Sequence, residues 1–174
     1  MKTIELKENT VALVSDSDYK SCLPGARWFA DPSYRADGTL RTMYAIRHVQ
    51  IGIRKYRKEY LHRFLLGVTD SSIRVDHRDG NGLNCQRRNI RIATHSQNCH
   101  NRPLVRGKHS RGVWFDPNRR GTTKYGAHIG NAGKNEHLGW FSTERKAANA
   151  YDLRAVQIHG KFALTNRALR RRDG

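Results

Sequence analysis

Cysteine is scarce in this chain of 174 residues: Cys22, Cys85 and Cys99 are its only three, widely spaced and with no Cys-x-x-Cys pair. An odd, scattered set argues against a disulfide framework and against structural zinc. Long apolar runs are also missing, so no stretch could span a bilayer, and the chain opens Met-Lys-Thr-Ile-Glu-Leu-Lys with no signal-peptide pattern. The expectation is a soluble, cytoplasmic protein with no membrane partner. Acidic residues are few, 15 against 33 lysines and arginines, for a formal net charge of +18. So large an excess costs self-repulsion in the folded state and points to a polyanion as partner. The hydrophobic share of 37% sets the chain apart from poorly hydrophobic disordered sequences. Basic stretches recur at Arg54-Lys55-Tyr56-Arg57-Lys58, Arg87-Arg88 with Arg91, Arg119-Arg120 and Arg170-Arg171-Arg172. That spread suits a long groove better than a single tail.

This length holds one medium domain or two small ones. The first sixty residues read as short strands, Thr10 to Val14, Ala26 to Ala30 and Met43 to Arg47, with Asp37-Gly38 as a hairpin signal, hence a small antiparallel sheet. Tyr60 to Gly67 is an apolar segment closing on a glycine that could cap a short helix. From Ile73 to Asn101 the order is strand, turn, strand and a helix starting near Thr94, a suitable N-cap. Residues 103–109, rich in Pro, Gly and basic residues, read as a linker. Beyond them come three strand-like runs, Arg111 to Phe115, Tyr125 to Ile129 and His137 to Phe141. A helix follows, opened by Ser142-Thr143-Glu144 and patterned by Ala147, Ala148, Tyr151, Ala155, Val156 and Ile158. The fold class expected is α+β, with units at 1–102 and 110–166 and a basic tail at 167–174.

The chemistry concentrates in Val75-Asp76-His77-Arg78-Asp79-Gly80-Asn81, then Asn89-Ile90-Arg91, then Ser96-Gln97-Asn98. Cleaving a phosphodiester at neutral pH needs a base to deprotonate water and a cation to neutralise the charge building on the phosphate. Imidazole suits the first task. One carboxylate with an amide oxygen is a hard, open ligand set suited to Mg²⁺ or Mn²⁺. Neighbours in a regular strand point to opposite faces, so Asp76 and His77 can share a pocket only where the strand ends or bends.

This stretch resembles the HNH endonucleases, in particular the phage and intron-encoded homing type. The resemblance implies a ββα-metal core over 61–102, with His77 as general base, Asp76 and Asn98 as metal ligands and Asn89 as a structural residue. His95 or His100 could supplement or replace a ligand, and His62 could approach the scissile phosphate or be an ordinary half-buried histidine. Arg87, Arg88 and Arg91 read as phosphate contacts. The activity expected is metal-dependent hydrolysis of double-stranded DNA in a bacterial or phage-infected cell, with no obligatory protein partner. The rival is a non-catalytic, sequence-specific DNA-binding regulator.

A second set of residues, Ser110-Arg111-Gly112-Val113, Leu138-Gly139-Trp140-Phe141, Ala147 to Asp152 and Leu164-Thr165-Asn166, is similar to the plant APETALA and ethylene-response-factor DNA-binding domain. That resemblance implies a three-stranded sheet laid in the major groove with one helix behind it. Arg111 matches a DNA contact of that family. Trp114 stands where the plant pattern has arginine, His128 where it has glutamate and His137 where it has tryptophan, so base preference does not transfer. These four residues, with Arg119, Arg120 and Lys124, are the DNA contacts expected of this unit. Ala147, Ala148 and Tyr151 are expected in its core.

Overall fold

Short apolar runs separated by Gly, Asn and Asp suit small sheets, and among the described residues the computed structural model holds four antiparallel ones, of two or three strands each. It describes residues 1–6, 9–24, 27–101, 109–131 and 133–172, with side chains at 100, 171 and 172 left aside. The chain divides into two compact units, Met1–Asn98 and Cys99–Gly174. The expected linker at 103–109 lies outside the described residues except for His109, as do the last two residues of the basic tail.

In the first unit β1 (Lys2–Glu5) pairs with β2 (Val11–Val14), and α1 (Asp16–Cys22) follows. Next come β3 (Phe29–Tyr34), the long β4 (Leu40–Gly52) and β5 (Lys55–Tyr60), in the order β3-β4-β5. Asp37-Gly38 makes the expected turn: Arg35 N–H donates to Thr39 O at 2.8 Å, and Asp37 Oδ1 accepts from Thr39 N–H at 3.0 Å. The first half of β4 pairs with β3 and the second half with β5, Ile46 alone pairing on both edges. After β5 the chain turns into α2 (Leu61–Leu66), closed by Gly67 in the left-handed conformation at φ 65°. Leu61 and Leu65 drop from that helix into a core shared with Ile4, Val14, Cys22, Trp28, Ala45, Cys85 and Ile90. Leu61 is fully buried, so truncating it to alanine would cost about 2–5 kcal/mol.

The hairpin of β6 (Arg74–His77) and β7 (Ile90–Ala93) leads into α3 (His95–His100), giving the expected order of strand, turn, strand and helix. The Thr94 side chain accepts from Gln97 N–H at 3.2 Å, and the Gln97 side chain accepts from Thr94 N–H at 2.9 Å. That reciprocal capping box fixes where the helix begins.

In the second unit β8 (Val113–Phe115), β9 (Tyr125–Asn131) and β10 (Lys134–Phe141) form a sheet with β9 central, followed by α4 (Glu144–His159). Thr143 caps α4 by accepting from Lys146 N–H at 3.3 Å. Ala147, Ala148, Tyr151 and Ala155 form the helix face that packs with Val113, Ala127 and Ile129. The basic tail is helical as far as Arg172, in α5 (Asn166–Arg172), where Thr165 caps by accepting from Ala168 N–H at 3.1 Å. Among the described residues no helix is long and apolar enough to cross a membrane.

Candidate functional site

Asp76 and His77 are the last two residues of β6, and strand pairing gives them different partners, Arg91 for Asp76 and Ile90 for His77. Both are buried, at 4% and 6% exposure. The Arg91 guanidinium donates to Asp76 Oδ2 through Nε at 2.8 Å, and Nη2 lies 2.6 Å from the same oxygen. Arg91, expected as a phosphate contact, is therefore engaged inside the fold.

His77 lies among rings. The His62 ring meets it edge-on at 4.9 Å between centroids, and Tyr44 lies 5.9 Å away. Tyr44 and Tyr60 both flank His62, at 5.5 and 5.4 Å. Cys85 Sγ is 3.9 Å from His77 Nε2. Burial lowers the pKa of His77 to about 4, against the opposing pull of Asp79 and Asp76, and that of His62 to about 3, helped by His77 and Arg63. Both imidazoles are thus neutral at physiological pH. Burial also pushes the Cys85 thiol up to about 12, so it is uncharged. His62 Nδ1 is buried without a hydrogen bond among the described residues.

The loop between the strands is tied by Asn89. Its Nδ2 donates to Asp79 Oδ1 at 2.9 Å and to Asn84 O at 2.7 Å, while its Oδ1 accepts from Asp79 N–H at 3.2 Å. Gly82, on the same loop, donates to the Thr42 hydroxyl at 2.9 Å. A Cβ on Gly82 would collide with the Met43 carbonyl and the Tyr44 ring, so a close backbone approach requires glycine there. Arg87, another expected phosphate contact, grips Asp18: Nε donates to both carboxylate oxygens at 3.1 and 2.8 Å, and Nη2 to Oδ1 at 2.9 Å. Arg88 is exposed.

Asn98 sits in α3, its backbone N–H bonded to Thr94 O at 3.0 Å, and its amide side chain has no hydrogen bond among the described residues. His95 is exposed, and the side chain of His100 lies outside the described residues. Among the described residues no three His, Cys, Asp or Glu side chains converge as a metal cage. The available donors are oxygens, the Asp76 carboxylate and the Asn98 amide, and in chemical type they fit a hard divalent cation that keeps most of its water. The Arg91 guanidinium would share Asp76 with any such ion.

In the second unit, Trp114 faces Gly126 and Trp140 across the sheet, and His128 faces His137 in the next row. Alternation, reset on β10 by the irregularity between His137 and Gly139, puts all five on the face opposite the Val113, Ala127 and Ile129 core. Trp114 lies 5.3 Å from Trp140, 5.0 Å from His128 and 5.6 Å from His137. The Arg119 guanidinium stacks 4.1 Å over Trp140. Arg111 Nε donates to the Tyr151 hydroxyl at 2.8 Å, and Lys124 Nζ to Pro117 O at 3.0 Å, while Arg120 is exposed. Trp140, Tyr44, Tyr60 and Cys85 were not singled out by sequence reasoning for these contacts. Strand register could have drawn Trp140 into the Trp114 row.

No family model matches the chain and no solved structure matches it. Among curated proteins it is similar to one from Acanthamoeba polyphaga mimivirus named as an uncharacterized HNH endonuclease, 34% identical over 115 residues. The match covers 63% of this chain and 58% of the mimivirus protein.

Proposed function

We propose that the chain is a metal-dependent HNH endonuclease that hydrolyses phosphodiester bonds in double-stranded DNA. The observation that carries this reading is the placement of Asp76 and His77 at the end of β6, next to a loop tied by Asn89 and with the His62 ring against His77. The relative's name supports it. His77, neutral because it is buried, accepts a proton from the attacking water. Asn89 holds the loop that follows it. Asp76 and Asn98 would hold a divalent cation, Mg²⁺ or Mn²⁺, whose chemistry is to neutralise the charge on the phosphate and leaving oxygen.

The second unit is proposed as the DNA reader, an ethylene-response-factor-type module whose outer face carries Trp114, His128 and His137, with Arg111, Arg119, Arg120 and Lys124 around it. A reader tethered to a weakly selective nuclease raises its effective concentration at chosen sites, which is the logic of a homing enzyme.

The test is nicking of supercoiled plasmid by wild type and His77→Ala, with Mg²⁺ or Mn²⁺ and with EDTA, after a gel shift has established that both bind DNA. Metal-dependent cleavage lost in the variant supports the nuclease. A folded, DNA-binding wild type that never cuts leaves the non-catalytic regulator, a reading favoured by the capture of Asp76 by Arg91.

A further inference from the structure

The second half of β4 leaves the three-stranded sheet. From Arg47 to Gly52 it pairs with β5 alone, through Arg47↔Glu59, His48↔Lys58, Val49↔Arg57, Gln50↔Tyr56 and Gly52↔Lys55. This is a two-stranded ribbon about 20 Å long at the usual rise per residue. Nearly every residue beyond its root is exposed. Its tip carries Ile51 at 60%, Ile53 at 90% and Tyr56 at 61% exposure. Exposed apolar groups of this size gain nothing for the fold and mark a contact surface. Around them stand Arg54, Lys55 and Arg57, whereas Lys58 and Arg47 at the root are held by Asp31 and Glu59. Arg57 keeps only a 3.6 Å approach to Glu59.

Strand alternation puts His48, Gln50, Tyr56 and Lys58 on the face that also bears Tyr44 and Tyr60, and those tyrosines flank His62 beside His77. One face of the arm therefore continues the wall of the candidate site.

We propose that the β4–β5 arm is a DNA-binding element that enters the major groove of the duplex being cut, with Arg54, Lys55 and Arg57 on phosphates and the Ile51, Ile53 and Tyr56 tip against base edges. The inference rests on the reading that the chain binds duplex DNA. A major groove admits a two-stranded β-ribbon, apolar side chains there meet thymine methyl groups, and phosphates are what exposed arginine and lysine recognise.

The test uses the full chain in EDTA, so that binding is read without cleavage. Fluorescence anisotropy of a labelled short duplex is followed between about 50 and 200 mM salt for wild type, for the triple variant Arg54→Asn, Lys55→Gln, Arg57→Gln, and for Ile53→Asp. Asparagine is chosen because residue 54 has φ 57°, a conformation asparagine tolerates better than most residues. The expected result is an unchanged melting temperature in both variants. Binding by the triple variant should be at least about tenfold weaker, with a log–log salt slope shallower by about 0.9 for each phosphate that is no longer neutralised. Wild-type slope and affinity in the folded triple variant would overturn the arm proposal while leaving the nuclease reading intact. A dimer that Ile53→Asp dissolves without altering DNA binding would overturn it in favour of self-association. A wild type that binds no duplex would bring down the DNA reading itself.

Discussion

The imidazole of His62 meets that of His77 edge-on, with centroids 4.9 Å apart and ring planes at 83°. Tyr44 and Tyr60 also pack on His62, and Tyr44 touches both imidazoles, so His77 leans on a ring that is itself packed among others. Losing the ring should let His77 wander. We expect His62→Ala to lower the cleavage rate by about 10- to 100-fold, since small misplacements of a reacting group cost that much, with DNA affinity unchanged. His62→Phe, which keeps the packing, should recover most of the loss. The readout is single-turnover cleavage beside anisotropy binding. A phenylalanine variant as inactive as the alanine one would mean that the His62 nitrogens themselves are needed.

The same pair sets an acid limit. Burial lowers both pKa values below the ordinary 6.5, to about 3 for His62 and about 4 for His77. Folded imidazoles stay neutral while unfolded ones take up protons below pH 6.5, so the pair's effect on stability is constant above that pH and lowers stability as pH drops towards 4. The loss is at most on the order of 3 kcal/mol per histidine. Urea midpoints of the full chain between pH 7 and 4 should decline, and less steeply in His62→Phe. An equal decline in that variant would place the acid sensitivity elsewhere.

Asp76 and Arg91 make a buried ion pair beside it, at 5% and 9% side-chain exposure. Removing one partner of such a buried pair takes away the main charge facing the other, at a cost of about 3–5 kcal/mol. Arg91→Met should therefore lower the urea midpoint sharply in EDTA, and Asp76→Asn in the same chain should restore part of it. If Asp76 also holds a divalent cation, Mg²⁺ will stabilise Arg91→Met more than wild type, because the ion takes the place of the guanidinium. Equal responses would remove Asp76 from the proposed ligand set.

Local chemistry made much of this legible. The Asp37-Gly38 turn, the Thr94 and Thr143 caps, the Gly67 helix end and the alanine face of α4 all depend on residues within a few positions of one another. Pairing at long range was not legible. Residues 54–58 read as a basic patch, yet Lys55–Tyr60 is a strand because β4 supplies its partner, and tertiary context of that kind outweighs strand propensity. The seven-residue helix α1 carries too little periodicity to stand out. Arg87 and Arg91 read as phosphate contacts, because the carboxylates they hold lie 69 and 15 residues away.

That distinction separates two adjacent arginines. Arg87 spans to Asp18 through three hydrogen bonds, and its own N–H donates to the Ser15 hydroxyl at 2.9 Å, fastening the loop after β6 to the start of α1. Arg88 is exposed and has no ion pair among the described residues. The Arg87 side chain is 49% exposed, so solvent screening keeps the contribution of this bridge to about 1 kcal/mol. Arg87→Ala should lower the urea midpoint by that amount and leave the salt slope of DNA binding as it was. Arg88→Ala should do the reverse, keeping its midpoint while the slope becomes shallower by about 0.9. If Arg87→Ala also flattens the slope, its guanidinium exchanges Asp18 for a phosphate when DNA arrives, and the clamp on α1 opens in the complex.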